Sequence, residues 1–150
     1  MEKIASFTVD HTKLMPGIYT SRIDCGITTY DIRMRRPNVE EPMDNASIHT
    51  IEHLFATCAR NSEFRDEVIY FGPMGCRTGF YFLVRNISQD DTIKLINDCF
   101  KFILGFEGEI PGASASECGN YREHSLDGAK KEAEKFLKVI GNWTKEQLEY

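Results

Sequence analysis

The sequence has no apolar run approaching the roughly 20 residues that a membrane-spanning helix requires. Met1-Glu2-Lys3 leads into too short an apolar stretch to read as a signal peptide. Membrane attachment and export are therefore not expected. There is also no CxxC pair: the five cysteines are odd in number and irregularly spaced, which argues against a disulfide framework. A reduced, cytoplasmic setting follows, in which cysteines serve as core residues, metal ligands or reactive thiols. No basic stripe is present. A net charge of -5 and a pI near 5.4 argue against a nucleic-acid partner. The one local cationic cluster, Arg33, Arg35 and Arg36, suits a small anionic substrate better. No internal repeat, low-complexity tract or linker is visible, so residues 1–150 read as a single domain, long enough to bury a core.

What the sequence does have is His49-Thr50-Ile51-Glu52-His53, inside the stretch Ala46 to Arg60. If this stretch is helical, an advance of about 100° per residue puts His53 about 40° round from His49 and Glu52 about 60° to the other side. Two imidazoles and a carboxylate then share one face. Ile48, Ile51, Leu54, Phe55 and Cys58 fall on the opposite half, which packs inward. Ser47 serves as the N-cap, with Asp44 and Asn45 as alternatives. Two histidines four residues apart can hold one divalent cation through ring nitrogens, with the glutamate beside it free to move protons. The bland alternative is a solvated helix face that carries two histidines.

Around this helix the spacing predicts a short strand over Ile4–Val9 and two more over Ile18–Ile23 and Ile27–Arg35, broken at Cys25-Gly26. In the second of these, Tyr30, Ile32 and Met34 alternate with Asp31, Arg33 and Arg35, as in a sheet with one buried and one polar face. Further strands are predicted over Glu67–Phe71 and Phe80–Val84, joined by the glycine-rich stretch 72–79, whose backbone must come close to something. Ser88 caps a helix to about Leu104 with Ile93, Ile96, Phe100, Ile103 and Leu104 inward. Ser125 caps another to about Ile140, and Thr144 with Gln147 starts a last short one. Between them, Gly105 to His124 is a long loop of the kind that tends to be functional. The whole reads as an α+β fold: an antiparallel sheet with helices packed on one face and the metal ligands on the first long helix.

Two histidines need at least one more ligand. Cys58 projects into the core face and Cys99 sits in an amphipathic stripe. Cys76 in Gly75-Cys76-Arg77 and Cys118 in Glu117-Cys118-Gly119 stand out because flanking glycines free their backbones. One thiolate can bind the metal while the other does acid/base chemistry, or one is structural. Composition leaves the assignment open.

The blocks SFTVDH, DIRMRRPN, HTIEHL, PMGCRTGFY and ECGNYREHSLDGAK, in this order over nearly the whole chain, resemble the S-ribosylhomocysteine lyase (LuxS) family. The resemblance implies His49, His53 and Cys118 as metal ligands, Glu52 and Cys76 as catalytic acid/base groups, and Ser6, His11 and Arg33 as residues lining the substrate site. It implies a ferrous iron in each subunit, replaceable by zinc or cobalt, and a homodimer with active sites at the interface. The implied reaction moves a ribose carbonyl along the sugar by two proton shuffles, then expels homocysteine by β-elimination and leaves dihydroxypentanedione, the autoinducer-2 precursor. Arg33 would face the substrate's amino-acid carboxylate from the polar side of its strand. Some members carry a carboxylate where Tyr70 stands here, so no role passes to Tyr70. For His124 a capping or loop role beside Ser125 is the preferred reading, with a place in the site as the alternative. The main rival is a metallopeptidase of the inverted-zincin (HxxEH) type, but such enzymes are longer chains with a downstream carboxylate ligand. A closed structural zinc site is the third possibility, and the glutamate in the motif and the spare thiol argue against it.

Overall fold

A computed structural model describes residues 1–150. Strands β1 (Gly17–Asp24) and β2 (Ile27–Arg33) precede helix α1 (Asn45–Arg60), and strands β3 (Val68–Pro73) and β4 (Gly79–Arg85) precede helices α2 (Gln89–Gly105) and α3 (Leu126–Ile140). The four strands form one sheet in the order β1-β2-β4-β3, antiparallel throughout. β1 turns into β2 through Cys25 (φ 50) and Gly26 (φ 79), two successive left-handed residues whose twist matches that of the flanking strands. β4 lies against β2 so closely that a Cβ on Gly79 would stand 2.2 Å from the Ile32 carbonyl oxygen. That is the close approach expected of the glycine-rich connection.

One sheet face carries Ile18, Tyr30, Ile32, Phe80, Phe82 and Val84, and the long helices pack over it to make the core. α1 lies on β3 and packs against both other helices, which also pack on each other. Its Phe55 stacks on Phe71 with ring centroids 3.9 Å apart and meets Phe82 and Phe100 edge-on. Such offset and edge-to-face contacts add to what the buried area alone contributes. Ile48, Ile51 and Leu54 of α1 are buried as expected, while Cys58 is only partly so.

Three expectations are corrected. Ile4–Val9 is not a strand: Ala5–Phe7 form a single 3-10 turn. The outer edge of β1 is occupied instead by the C-terminal segment, where the Thr20 amide donates to the Leu148 carbonyl. Leu104 is 37% exposed, and Leu95 and Cys99 take its place in the α2 core stripe. The polar face of β2 is also not solvated. Asp31 is 1% and Arg33 3% exposed; the two pair with each other, and Tyr150 donates its hydroxyl to Asp31 Oδ2 at 2.7 Å.

Candidate metal centre and substrate cleft

Helix α1 is capped by Asp44, whose carboxylate accepts from the Ser47 amide at 2.8 Å and the Ser47 hydroxyl at 2.7 Å. The helix therefore begins three residues before the preferred cap Ser47, within the alternatives the sequence offers. Burial pushes the Asp44 carboxyl up, but the hydrogen bonds from Ser47 outweigh it and hold the group below its ordinary value. From this start His49 and His53 emerge on the side of α1 away from the sheet, ring centroids 4.7 Å apart and nearly perpendicular.

Both rings are fixed by backbone carbonyls of the 106–124 loop. His49 Nδ1 lies 2.9 Å from the Glu123 oxygen, and His53 Nδ1 lies 2.8 Å from the Pro111 oxygen. A carbonyl only accepts, so each Nδ1 carries the proton and each Nε2 presents its lone pair, the outer-shell arrangement common to metal-binding histidines. Gly112, at φ +70 and packed beneath His53, lets the chain turn directly after the Pro111 carbonyl. The same loop delivers Cys118, whose sulfur is 3.3 Å from His49 Nε2 and 4.0 Å from His53 Nε2. Ligand atoms around one tetrahedral ion, bonded at about 2.0–2.3 Å, stand about 3.3–3.8 Å apart, so these three donors fit a single cation with small adjustment. Cys118 is thus the thiol beside the histidine pair, and Cys76 is not. Glu52 is half-buried on the same helix.

His124 is not a mere loop residue. Its ring stacks on His49 at 3.9 Å and meets His53 at 4.8 Å, and it joins His49, His53 and Cys118 in one group whose donor atoms all lie within 4.8 Å. Burial, with His49 and His53 as neighbours, pushes its pKa down to about 4, so the ring is neutral at pH 7. No periodicity reveals this residue, because it reaches the cluster from a loop rather than from α1.

The remaining site residues gather elsewhere. Ser6, His11, Arg33, Cys76, Thr78 and Tyr81 line a cleft of about 680 Å³ on the sheet face away from the long helices. His11 Nδ1 donates to the Val9 carbonyl at 2.8 Å, leaving Nε2 free. Arg33 forks onto Asp31, Nε to Oδ1 at 3.1 Å and Nη2 to Oδ2 at 2.6 Å, and gives an Nη1 proton to Thr78 Oγ1 at 2.8 Å. Thr78 Oγ1 in turn lies 3.0 Å from Cys76 Sγ. Neither Gly75 nor Gly119 adopts a left-handed φ; the strained position beside Cys76 is Arg77, at φ 59. The glycines flanking the two cysteines therefore mark open ground rather than special backbone geometry. No residue of the His49–His53–Cys118–His124 cluster lines this cleft, and the two sit on opposite sides of the sheet.

The family profile described as S-Ribosylhomocysteinase (LuxS) matches residues 4–147. Among curated proteins, the S-ribosylhomocysteine lyase of Borreliella afzelii is 53% identical, covering 100% of this chain and 99% of its own. Those of Finegoldia magna and Clostridium beijerinckii are 52% and 50% identical over the same shares.

Proposed function

The chain belongs to the S-ribosylhomocysteinase (LuxS) family, and from that premise we propose how its own residues carry the cleavage of S-ribosylhomocysteine. The protein is a carbon–sulfur lyase of autoinducer synthesis, yielding homocysteine and dihydroxypentanedione. The metallopeptidase alternative is not favoured. The observation that carries the site assignment is the convergence of two preset imidazole nitrogens and one thiol sulfur within 4.0 Å.

His49, His53 and Cys118 hold one ferrous iron per subunit, with zinc or cobalt able to take its place. When bound, that ion supplies a Lewis acid that steadies negative charge on a sugar oxygen. Three protein donors leave a position open for substrate. Glu52, on the ligand helix, and Cys76, in the cleft, move the protons that carry the carbonyl along the sugar. Each such group contributes typically about 10²–10⁴-fold. Ser6 and His11 bind the substrate in the cleft. Arg33, which lines the cleft, has three of its five N–H donors engaged by Asp31 and Thr78, which leaves two to bind the substrate.

The position of Cys76 on one side of the sheet and of the ligand triad on the other supports a homodimer with each active site at the interface. A triad from one chain would meet the cleft of its partner. A cytoplasmic location is in keeping with five free cysteines and with the lack of any helix long and apolar enough to cross a membrane.

The test is thiol release from S-ribosylhomocysteine by purified protein, with and without added ferrous iron. Cys76→Ala and Glu52→Gln should each lower turnover by at least about 10²-fold while metal stays near one per chain. Cys118→Ala should lose the metal itself. Loss of metal from Cys76→Ala would mean that the two thiols have exchanged roles.

A further inference from the structure

His124 has a donor with nothing to receive its proton. Thr50 Oγ1 accepts the Ser125 amide at 2.9 Å, so its own proton is free for the His124 Nδ1 that lies 3.0 Å away. A neutral imidazole that accepts at Nδ1 carries its proton at Nε2. That Nε2 is buried and has no partner, which is costly and calls for an explanation.

The simplest explanation, a fourth metal ligand, fails on ring geometry. Two imidazoles bound end-on to one ion, with nitrogens at about 2.0–2.1 Å, splay outward and keep their centroids about 5 Å apart. His49 and His53 meet this at 4.7 Å and 85°. His124 lies flat on His49 at 3.9 Å and 22°, too close and too parallel for both to point at one cation. It is an outer neighbour of the triad rather than a member.

We propose that His124, clamped by Thr50, braces the His49 ring from behind and donates its Nε2–H to the sugar oxygen seated over the His49–His53–Cys118 triad. The unpaired donor is then the structure's provision for an acceptor that arrives with the substrate. Such a preorganised donor acts where negative charge develops and stays oriented between turnovers. The substrate half of this inference rests on the lyase reading above.

Cobalt-loaded His124→Phe and His124→Gln test it, because cobalt reports its coordination in the visible spectrum. The Phe variant should keep about one cobalt per chain with the resting spectrum of the wild type. Its turnover of S-ribosylhomocysteine should fall about 10²-fold, mostly in kcat rather than KM. The Gln variant, whose amide nitrogen falls near the lost Nε2, should recover part of that loss. If His124→Phe does not fold, His124→Asn replaces it: Asn places its amide near Nδ1 and should not rescue. A changed resting spectrum or lost cobalt would make His124 a ligand and overturn the inference. Wild-type turnover in the Phe variant, or equal loss in Phe and Gln, would overturn it too. Wild-type protein assayed alongside separates the two readings. If it releases no thiol, the lyase reading is what fails, while cobalt content and spectrum still decide whether His124 is a ligand.

Discussion

Thr78 has one hydroxyl proton and two polar neighbours. Because Arg33 Nη1 already donates to its oxygen, the Thr78 proton is directed to Cys76 Sγ. The result is a buried line from Asp31 through Arg33 and Thr78 to the sulfur at the cleft, with Thr78 itself only 5% exposed. Thr78→Val keeps the shape and removes the proton. The loss of one hydrogen bond of about 1–1.5 kcal/mol should lower thiol release about tenfold in metal-loaded protein, with metal content unchanged; an undiminished rate would detach Thr78 from the chemistry. Arg33 was legible in the sequence as a charge on the polar side of β2, but not as a buried one. Its guanidinium is held by Asp31 and by Thr78, 45 residues on, and no local pattern shows which distant side chain will meet a strand. The histidine pair was legible for the opposite reason: a four-residue spacing on a helix places two side chains together whatever the rest of the chain does. His124 lies 74 residues from Thr50, to which it is bonded, and local periodicity has no reach over that distance.

Helix starts were the most readable elements, because a cap is a local bond between a side chain and an amide two or three residues on. Ser88 accepts from the Asp91 amide and Ser125 from the Gly128 amide, as their spacing indicates. At α1 several cap residues stand together, and Asp44 prevails by binding both the amide and the hydroxyl of Ser47. Asp44→Ala should destabilise the fold by about 1 kcal/mol near neutral pH, read from urea midpoints. The folded carboxyl titrates below its ordinary value of 3.8, so its contribution is complete above that pH and fades as the pH falls through the folded value. The gap between wild type and variant should therefore narrow in acid; a constant gap would place the effect elsewhere. The strand expected at Ile4–Val9 has the right residue types but does not pair with the neighbouring β1 edge, where the Thr20 amide is taken by the Leu148 carbonyl of the C-terminal segment. Pairing is a property of two segments, and one segment's sequence shows only half of it. Gly79 shows the reverse, a local residue with a non-local cause. Gly79→Ala would drive a methyl into the Ile32 carbonyl and should cost about 3 kcal/mol in urea unfolding, with activity lost as β2 and β4 part beside Arg33.

At the scale of the molecule, the sheet divides the site residues into two sets. His49, His53 and Cys118 project from the outer side of the helix layer, whereas Cys76, Arg33 and His11 face the cleft on the other side. A sheet with a helix layer packed upon it separates its two outer surfaces by roughly 20 Å, too far for one sugar to bridge. The proposed two-fold dimer would remove the difficulty by setting the triad of each chain beside the cleft of the other. Mixing two inactive proteins then becomes decisive. In a dimer of one Cys76→Ala chain and one Cys118→Ala chain, the first supplies an intact triad and the second an intact cleft, so one of the two sites is whole. Random exchange of equal amounts should restore about a quarter of the wild-type rate per chain, since half the dimers are mixed and each has one working site. If triad and cleft of the same chain worked together, each site in the mixed dimer would lack one essential thiol and the mixture would stay inactive. Sedimentation at assay concentration should show the dimer in the same samples, and full activity in a monomer would rule out a shared site.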